Sequence, residues 1–179
     1  MKFVIRPCAD ADIPAIWAIY AAAVIHGTAS FELEPPTEDE MRRRRAVLLK
    51  GGYPYFVAER DGAILGYTYA GPYHTRPGYR STVEDSIYVA PENQGQRVGR
   101  ALLGELLRAC EALDFRRMIA VVGDRASAGS ISLHRSCGFQ HVGVLEGVGY
   151  KHGRWLDSVL MQRALGDGAT TPPTRPILG

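Results

Sequence analysis

With 179 residues, 46% of them hydrophobic, the chain is long enough to bury one proper core and fits a single domain. A net charge of +2 gives no global argument for nucleic acid or a membrane as partner, and no apolar run approaches bilayer-spanning length. The three cysteines, Cys8, Cys110 and Cys137, are odd in number and lack metal spacing, so reduced thiols in a cytoplasmic protein are the simplest account.

Met1 to Pro7 turns charged at once, unlike a signal peptide. Phe3 to Arg6 reads as a first strand, ended by Pro7. Asp10 or Asp12 caps a helix whose apolar side runs through Ile13, Ile16, Trp17, Ile19, Tyr20 and Val24. His26 to Glu32 breaks that period and reads as a loop that forms a wall of a pocket. Thr37 caps a second helix reaching about Lys50, and the run Arg42 to Arg45 reads as its solvated side.

Tyr55–Glu59 and Ile64–Ala70 are strands around the turn Arg60-Asp61-Gly62. After an irregular stretch from Gly71 to Ser81, Thr82 to Val89 is a strand stopped by Pro91. Val98, Ala101, Leu102, Leu106 and Ala109 recur at helical steps, giving a helix that ends near Asp114. Met118–Val122 is a buried strand, Asp124–Gly129 a loop, and Ser130 caps a helix through His134. Val142–Leu145 and Trp155–Gln162 are two further strands, linked by Gly147 to Arg154. From Asp167 onward the composition of Pro, Thr and Gly predicts a loose tail, so the domain spans 1–166 and the tail 167–179. The order predicts an α+β fold: a central mixed, mostly antiparallel sheet flanked by helices.

Gln94-Gly95-Gln96-Arg97-Val98-Gly99 joins the Thr82 strand to the following helix. Its backbone N–H groups and the helix dipole suit a phosphate, although the loop taken alone is equally an ordinary strand-to-helix turn. It fits neither the Walker pattern nor the dinucleotide fingerprint.

The segment resembles the Q-x-x-G-x-G signature of the GNAT superfamily of N-acetyltransferases, with Arg97 standing where the family usually has glycine. Four further stretches carry the resemblance to the phosphinothricin and methionine sulfoximine acetyltransferase branch. They are Thr28–Glu32, Thr82–Val89, Ser130–His134 with Gly138-Phe139, and Gly149–Trp155. The resemblance covers nearly all of Val4 to Leu165 and implies the GNAT fold. It implies acetyl-CoA as co-substrate, no metal, a small-molecule amine as acceptor and a homodimer.

On this sequence it implies that Ile87, Tyr88 and Val89 offer backbone groups to the thioester and pantetheine. Gln94, Gly95, Gln96, Arg97, Val98, Gly99 and Arg100 hold the pyrophosphate. Ser127 takes the place of a cofactor-contacting asparagine, and Ser136 lies near the CoA arm. Arg97 exchanges room for a charged contact.

Glu84 alone reads as a solvated strand glutamate; the resemblance makes it the base. Alternation sets it on the face of Thr82 and Ser86, with Asp85 opposite and structural. His134 takes the place of the tyrosine that protonates the departing thiolate, or packs against its helix. Phe31, His74, Thr75, Arg76, Arg80, Thr82, Val83 and Glu84 are the acceptor-site candidates. Among these, the arginines suit the carboxylate and phosphinate of an amino acid analogue. Tyr150, Lys151 and Trp155 line the site or a dimer contact. The rivals are a GNAT enzyme for a polyamine or protein N-terminus, and a non-catalytic acetyl-CoA sensor. The five histidines are scattered and none pairs with a carboxylate at helical spacing, so a metal site is not supported.

Overall fold

The structure is a computed structural model that describes residues 2–175. Seven strands form one sheet: β1 (Val4–Pro7), β2 (Tyr55–Arg60), β3 (Ala63–Pro72), β4 (Thr82–Val89), β5 (Arg117–Gly123), β6 (Gln140–Lys151) and β7 (Arg154–Ala164). Their order across the sheet is β1-β2-β3-β4-β5-β7-β6. Every neighbouring pair is antiparallel except β4 and β5, which are parallel. Four α-helices cover it: α1 (Ile13–His26), α2 (Glu38–Lys50), α3 (Val98–Ala112) and α4 (Ala128–Ser136).

The helices divide between the two faces. On one, Ile13, Ile16, Tyr20 and Val24 of α1 and Met41 of α2 bury against Tyr55, Val57 and Tyr67. On the other, Leu103, Leu106, Leu107 and Cys110 of α3 pack with Val83, Met118, Ala120 and Phe139, and Ile131 and Leu133 of α4 lean on the same cluster. The helical spacing of those α3 residues is what presents them as one stripe to the sheet.

The β2–β3 turn forms as its sequence requires, with Asp61 at φ 51° and Gly62 at φ 81°, the left-handed pair of a two-residue hairpin loop. Thr37 Oγ1 accepts from the Glu40 N–H at 3.2 Å, capping α2 as expected. Asp12 differs: its carboxylate takes the Arg6 guanidinium at 2.7 Å and the Ala9 N–H at 2.8 Å, and gives α1 no side-chain cap. The arginines of α2 also differ from a merely solvated face. Arg43 binds Glu40, Arg44 binds Glu32 and Glu40, and Arg45 donates to the Cys8 carbonyl.

Three boundaries move. α4 starts at Ala128 after Ser127, so Ser130 lies inside it rather than capping it. β6 and β7 run to a tight turn at His152-Gly153, and the stretch from Gly147 to Arg154 read as a linker is mostly strand. A register shift between Leu145 and Gly149 absorbs the intervening glycine-bearing residues, which hid the strand period in the sequence. The segment expected to be loose after Asp167 makes contacts as far as it is described: the Arg175 guanidinium sits 3.7 Å over the Phe115 ring, and its Nη1 donates to the Leu113 carbonyl at 2.6 Å. Residues 176–179 of that expected tail lie outside the described residues.

Candidate active site

β4 and β5 pair over only three positions, Thr82 with Arg117, Val83 with Met118 and Glu84 with Ile119. Beyond them β4 stays bonded to β3, and β5 stays bonded to β7. The two strands part, and their facing edges carry backbone N–H and C=O groups with no partner strand. A cavity of about 300 Å³ occupies the split, between Glu84–Tyr88 on one side and Ala120–Gly123 on the other. It opens past Ile87, Tyr88, Ser127 and Ser130, which also line a larger cavity of about 720 Å³ bordered by Gln94, Gly95 and Arg97–Arg100.

The first turn of α3 closes that larger space. Gly95 has φ 74° and Arg97, the residue before the helix, φ 65°, so the loop turns through two left-handed positions. Glycine adopts this freely; arginine bears about 1–2 kcal/mol of strain. At Gly99 an added Cβ would stand 3.2 Å from Leu133 Cδ2, so glycine lets the helix start lie close against α4. The unpaired N–H groups of this turn face a space able to take an anion.

Glu84 lies half-buried on the face shared with α1 and α2. Burial, and then the neighbouring charge of Asp85, push its carboxyl above the ordinary carboxylate range. Phe31 reaches the same cavity from the α1–α2 connection. That connection is tied down: Tyr20 Oη meets Ser30 Oγ at 2.9 Å and donates to Glu32 at 3.0 Å, and Glu32 accepts from Arg44 at 2.6 Å. Lys151 is buried and donates to the Ser30 carbonyl at 2.7 Å. Burial lowers its pKa. His152 Nε2 lies 3.2 Å from the Gly27 carbonyl, so the β6–β7 turn holds the same loop at two points.

His134 is 2% exposed and lines the smaller cavity with Asp85. Its Nδ1 lies 2.8 Å from the Ser130 carbonyl and its Nε2 3.0 Å from Asp85 Oδ2. Burial works against the imidazolium, but the hydrogen bond and charge of Asp85, with the Ser130 carbonyl, outweigh it and raise the pKa.

The residues singled out by sequence separate into two groups. Glu84, His134, Phe31, Ile87, Tyr88 and Ser127 meet at the smaller cavity, and Val89, Gln94, Gly95, Arg97, Val98, Gly99 and Arg100 at the larger. The Ser127 hydroxyl donates to the Gly123 carbonyl at 2.7 Å. Others lie apart. Val83 is fully buried in the α3-side core, because the alternation that exposes Glu84 turns its neighbour inward, so its side chain has no access to an acceptor. Thr82 pairs with Arg117 at the closed end of the split. His74, Thr75 and Arg76 are exposed on the loop before β4, and Arg80 donates to the Arg175 carbonyl at 2.9 Å. Gln96 is turned to the Glu92 carbonyl at 3.0 Å. Ser136 donates to the Leu133 carbonyl at 2.8 Å and lines a separate cleft. The sequence reads Asp85 only as structural and Ser30 only as part of the pocket-wall loop, and gives no sign that Tyr20 and Arg44 brace that loop. Their partners lie 49 residues away for Asp85 and 10 and 12 for Tyr20, and no local pattern signals such pairs.

Among the described residues no group of three or more His, Cys, Asp or Glu is placed to hold a metal ion. Among them, too, no helix is long and apolar enough to cross a membrane.

A parallel strand pair that splits, followed by a glycine-bearing helix start, defines an acyltransferase of the GNAT type. The chain belongs to the acetyltransferase (GNAT) family, whose model matches residues 16–139. It is 54% identical over 169 residues to a phosphinothricin N-acetyltransferase of Alcaligenes faecalis, covering 94% of this chain and 86% of that one. An L-methionine sulfoximine/L-methionine sulfone acetyltransferase of Pseudomonas aeruginosa is 36% identical over 176 residues, covering 96% of this chain and all of that one. A crystal structure of a GNAT superfamily phosphinothricin acetyltransferase from Sinorhizobium meliloti in complex with AcCoA superimposes with a TM-score of 0.95 at 46% identity. It covers 99% of this chain and 96% of that one.

The seat of Phe31 is testable without any ligand. An added Cβ at Gly149 would come within 2.5 Å of the Phe31 ring. Gly149→Ala is expected to cost about 1–3 kcal/mol by overpacking. In urea unfolding of the double variant with Phe31→Ala, much of that cost should vanish. Additive costs would mean that the two residues do not share this slot.

Proposed function

We propose that this protein transfers the acetyl group of acetyl-CoA directly to the amino group of a small amino acid analogue of the phosphinothricin and methionine sulfoximine type. The observation that carries the reading is the split between β4 and β5, which sets Glu84 beside the unpaired strand edge that a thioester would occupy. The names of the relatives support the acceptor class.

Acetyl-CoA supplies an activated acyl carbon and a thiolate leaving group. Backbone N–H groups at Ile87–Val89 hold and polarise the thioester carbonyl, and those at the start of α3 hold the diphosphate, helped by the Arg97 guanidinium. Glu84 takes a proton from the acceptor's ammonium, directly or through water. The nitrogen forms its bond to the acetyl carbon as the carbon–sulfur bond breaks; CoA leaves as the thiolate, the nitrogen's second proton passes to water, and the nearby His134 ring, as a cation, steadies the negative charge on sulfur. Because Glu84's pKa is raised, the carboxylate form that accepts protons is lost at a higher pH than for an ordinary glutamate.

Homodimerisation belongs to the same proposal. β6 is an edge strand, and Val142, Val148 and Tyr150 on it, with Trp155 on β7, stand more than half exposed, and Leu145 nearly so. An apolar band of this kind on an edge needs a cover. Free Cys8, Cys110 and Cys137 accord with a reducing compartment such as the cytoplasm.

A thiol-release assay over a panel of amines tests the activity. Turnover is expected on phosphinothricin or methionine sulfoximine, with kcat/KM rising as pH climbs through the Glu84 pKa. Glu84→Gln should remove about 10²–10⁴-fold of the rate together with that acid limb. Acetyl-CoA binding with no turnover on any amine would instead indicate a sensor. Arg97→Gly should leave stability equal or slightly higher, while acetyl-CoA affinity falls by about tenfold, less at high salt. Unchanged affinity would remove Arg97 from the site. Sedimentation at micromolar concentration should show a dimer that Val148→Glu dissociates; a wild-type monomer would refute the interface.

A further inference from the structure

Asp85 on β4, to which the reaction above gives no role, forms a buried ion pair with His134 on α4. Asp85 is the first β4 residue past the last pairing with β5, so the contact lies where the split begins, at its closed end. Its partner comes from the helix that follows β5. The Asp85 and His134 side chains are 1% and 3% exposed, close to complete exclusion from solvent.

The hydrogen-bond arithmetic fixes the protons. The Ser130 carbonyl can only accept, so the Nδ1 facing it at 2.8 Å carries a hydrogen. With Asp85 ionised, its carboxylate too can only accept, so the Nε2 facing it at 3.0 Å carries one as well. The imidazole is therefore a cation with both N–H groups engaged, and its charge is balanced within the pair. Neither nitrogen is free to choose a tautomer. Phe139 packs edge-on against the ring at 5.0 Å and blocks rotation. The other titratable groups nearby are Glu84, beside Asp85 on β4, and the Cys110 thiol of α3, which feels the Asp85 charge. Neither is positive, so Asp85 and the Ser130 carbonyl alone set the state of the ring. Asp85 Oδ1 is buried with no hydrogen-bond partner among the described residues.

We propose that Asp85 is a positioning residue of acetyl transfer, holding His134 as an imidazolium with fixed orientation beside the thioester site. It acts through His134 and touches neither substrate. The inference rests on the acetyltransferase reading for its effect on rate, but the protonation state it asserts is independent of that reading.

Two measurements separate these. In protein labelled with ¹⁵N at histidine, the ring signals absent from His134→Gln identify His134. At pH 7.5 both of its nitrogens should be protonated in the wild type, and only one in Asp85→Asn. A neutral His134 in the wild type would overturn the proposal whatever the activity. In steady-state kinetics Asp85→Asn should lower kcat by about 10²-fold or more while KM for acetyl-CoA changes by less than about threefold. The alkaline limb of kcat should move to lower pH, because an imidazole without its carboxylate loses its proton sooner. Equal kcat and an unmoved limb in a folded Asp85→Asn would also overturn it. If Asp85→Asn does not fold, the wild-type spectrum still decides. A wild type inactive on every amine, with His134 doubly protonated, would count against the acetyltransferase reading and leave the pair as described.

Discussion

The structure depends on the shortness of one strand pairing. β4 and β5 are parallel neighbours for three residues and then separate, while each remains hydrogen-bonded to the sheet on its outer side. A sheet interior left open in this way exposes backbone donors and acceptors that neither strand can satisfy alone. The rest of the fold keeps the split from closing: α3 and α4 pack on one face, and α1 with the Thr28–Glu32 loop crosses the other. An extended ligand with amides and a carbonyl is the natural partner for such edges, just as a third strand would be.

Electrostatics follows from the same geometry. Side-chain alternation along β4 sends Glu84 and Asp85 to opposite faces at the point of separation. Glu84 lines the cavity, half-buried, so its proton affinity rises. Asp85 meets α4 and is committed to His134. Two adjacent carboxyl groups thus sit in different environments, one half-buried in the cavity and one bonded to His134, which is the basis of the different roles proposed for them. The Asp85 charge raises the cost of ionising Glu84, which, after burial, is part of why Glu84 is shifted.

Much of this was legible in the sequence because it is local. The helical stripe of α3, the Asp61-Gly62 turn, the Thr37 cap and the strand Thr82–Val89 are periodicity and turn chemistry. The glycine-bearing loop and the Thr82–Val89 motif pointed to the GNAT family, and the matched family and relatives bear that out. What escaped was long-range. The Thr82–Glu84 motif carries Val83 along with Glu84, though one step along a strand reverses the face. The bulge near Gly147 broke the two-residue period that would have revealed all of β6. Lys151 reaching Ser30, and Asp85 reaching His134, join segments that no window of sequence contains together.

A crystal structure of the protein with acetyl-CoA and an acceptor analogue tests the central claim most directly. The account predicts the thioester carbonyl hydrogen-bonded to backbone N–H groups within Ile87–Val89, the diphosphate on the first turn of α3, and the acceptor nitrogen within reach of Glu84 directly or through one water. A donor seated outside the β4–β5 split, or an acceptor nitrogen on the far side from Glu84, would contradict it.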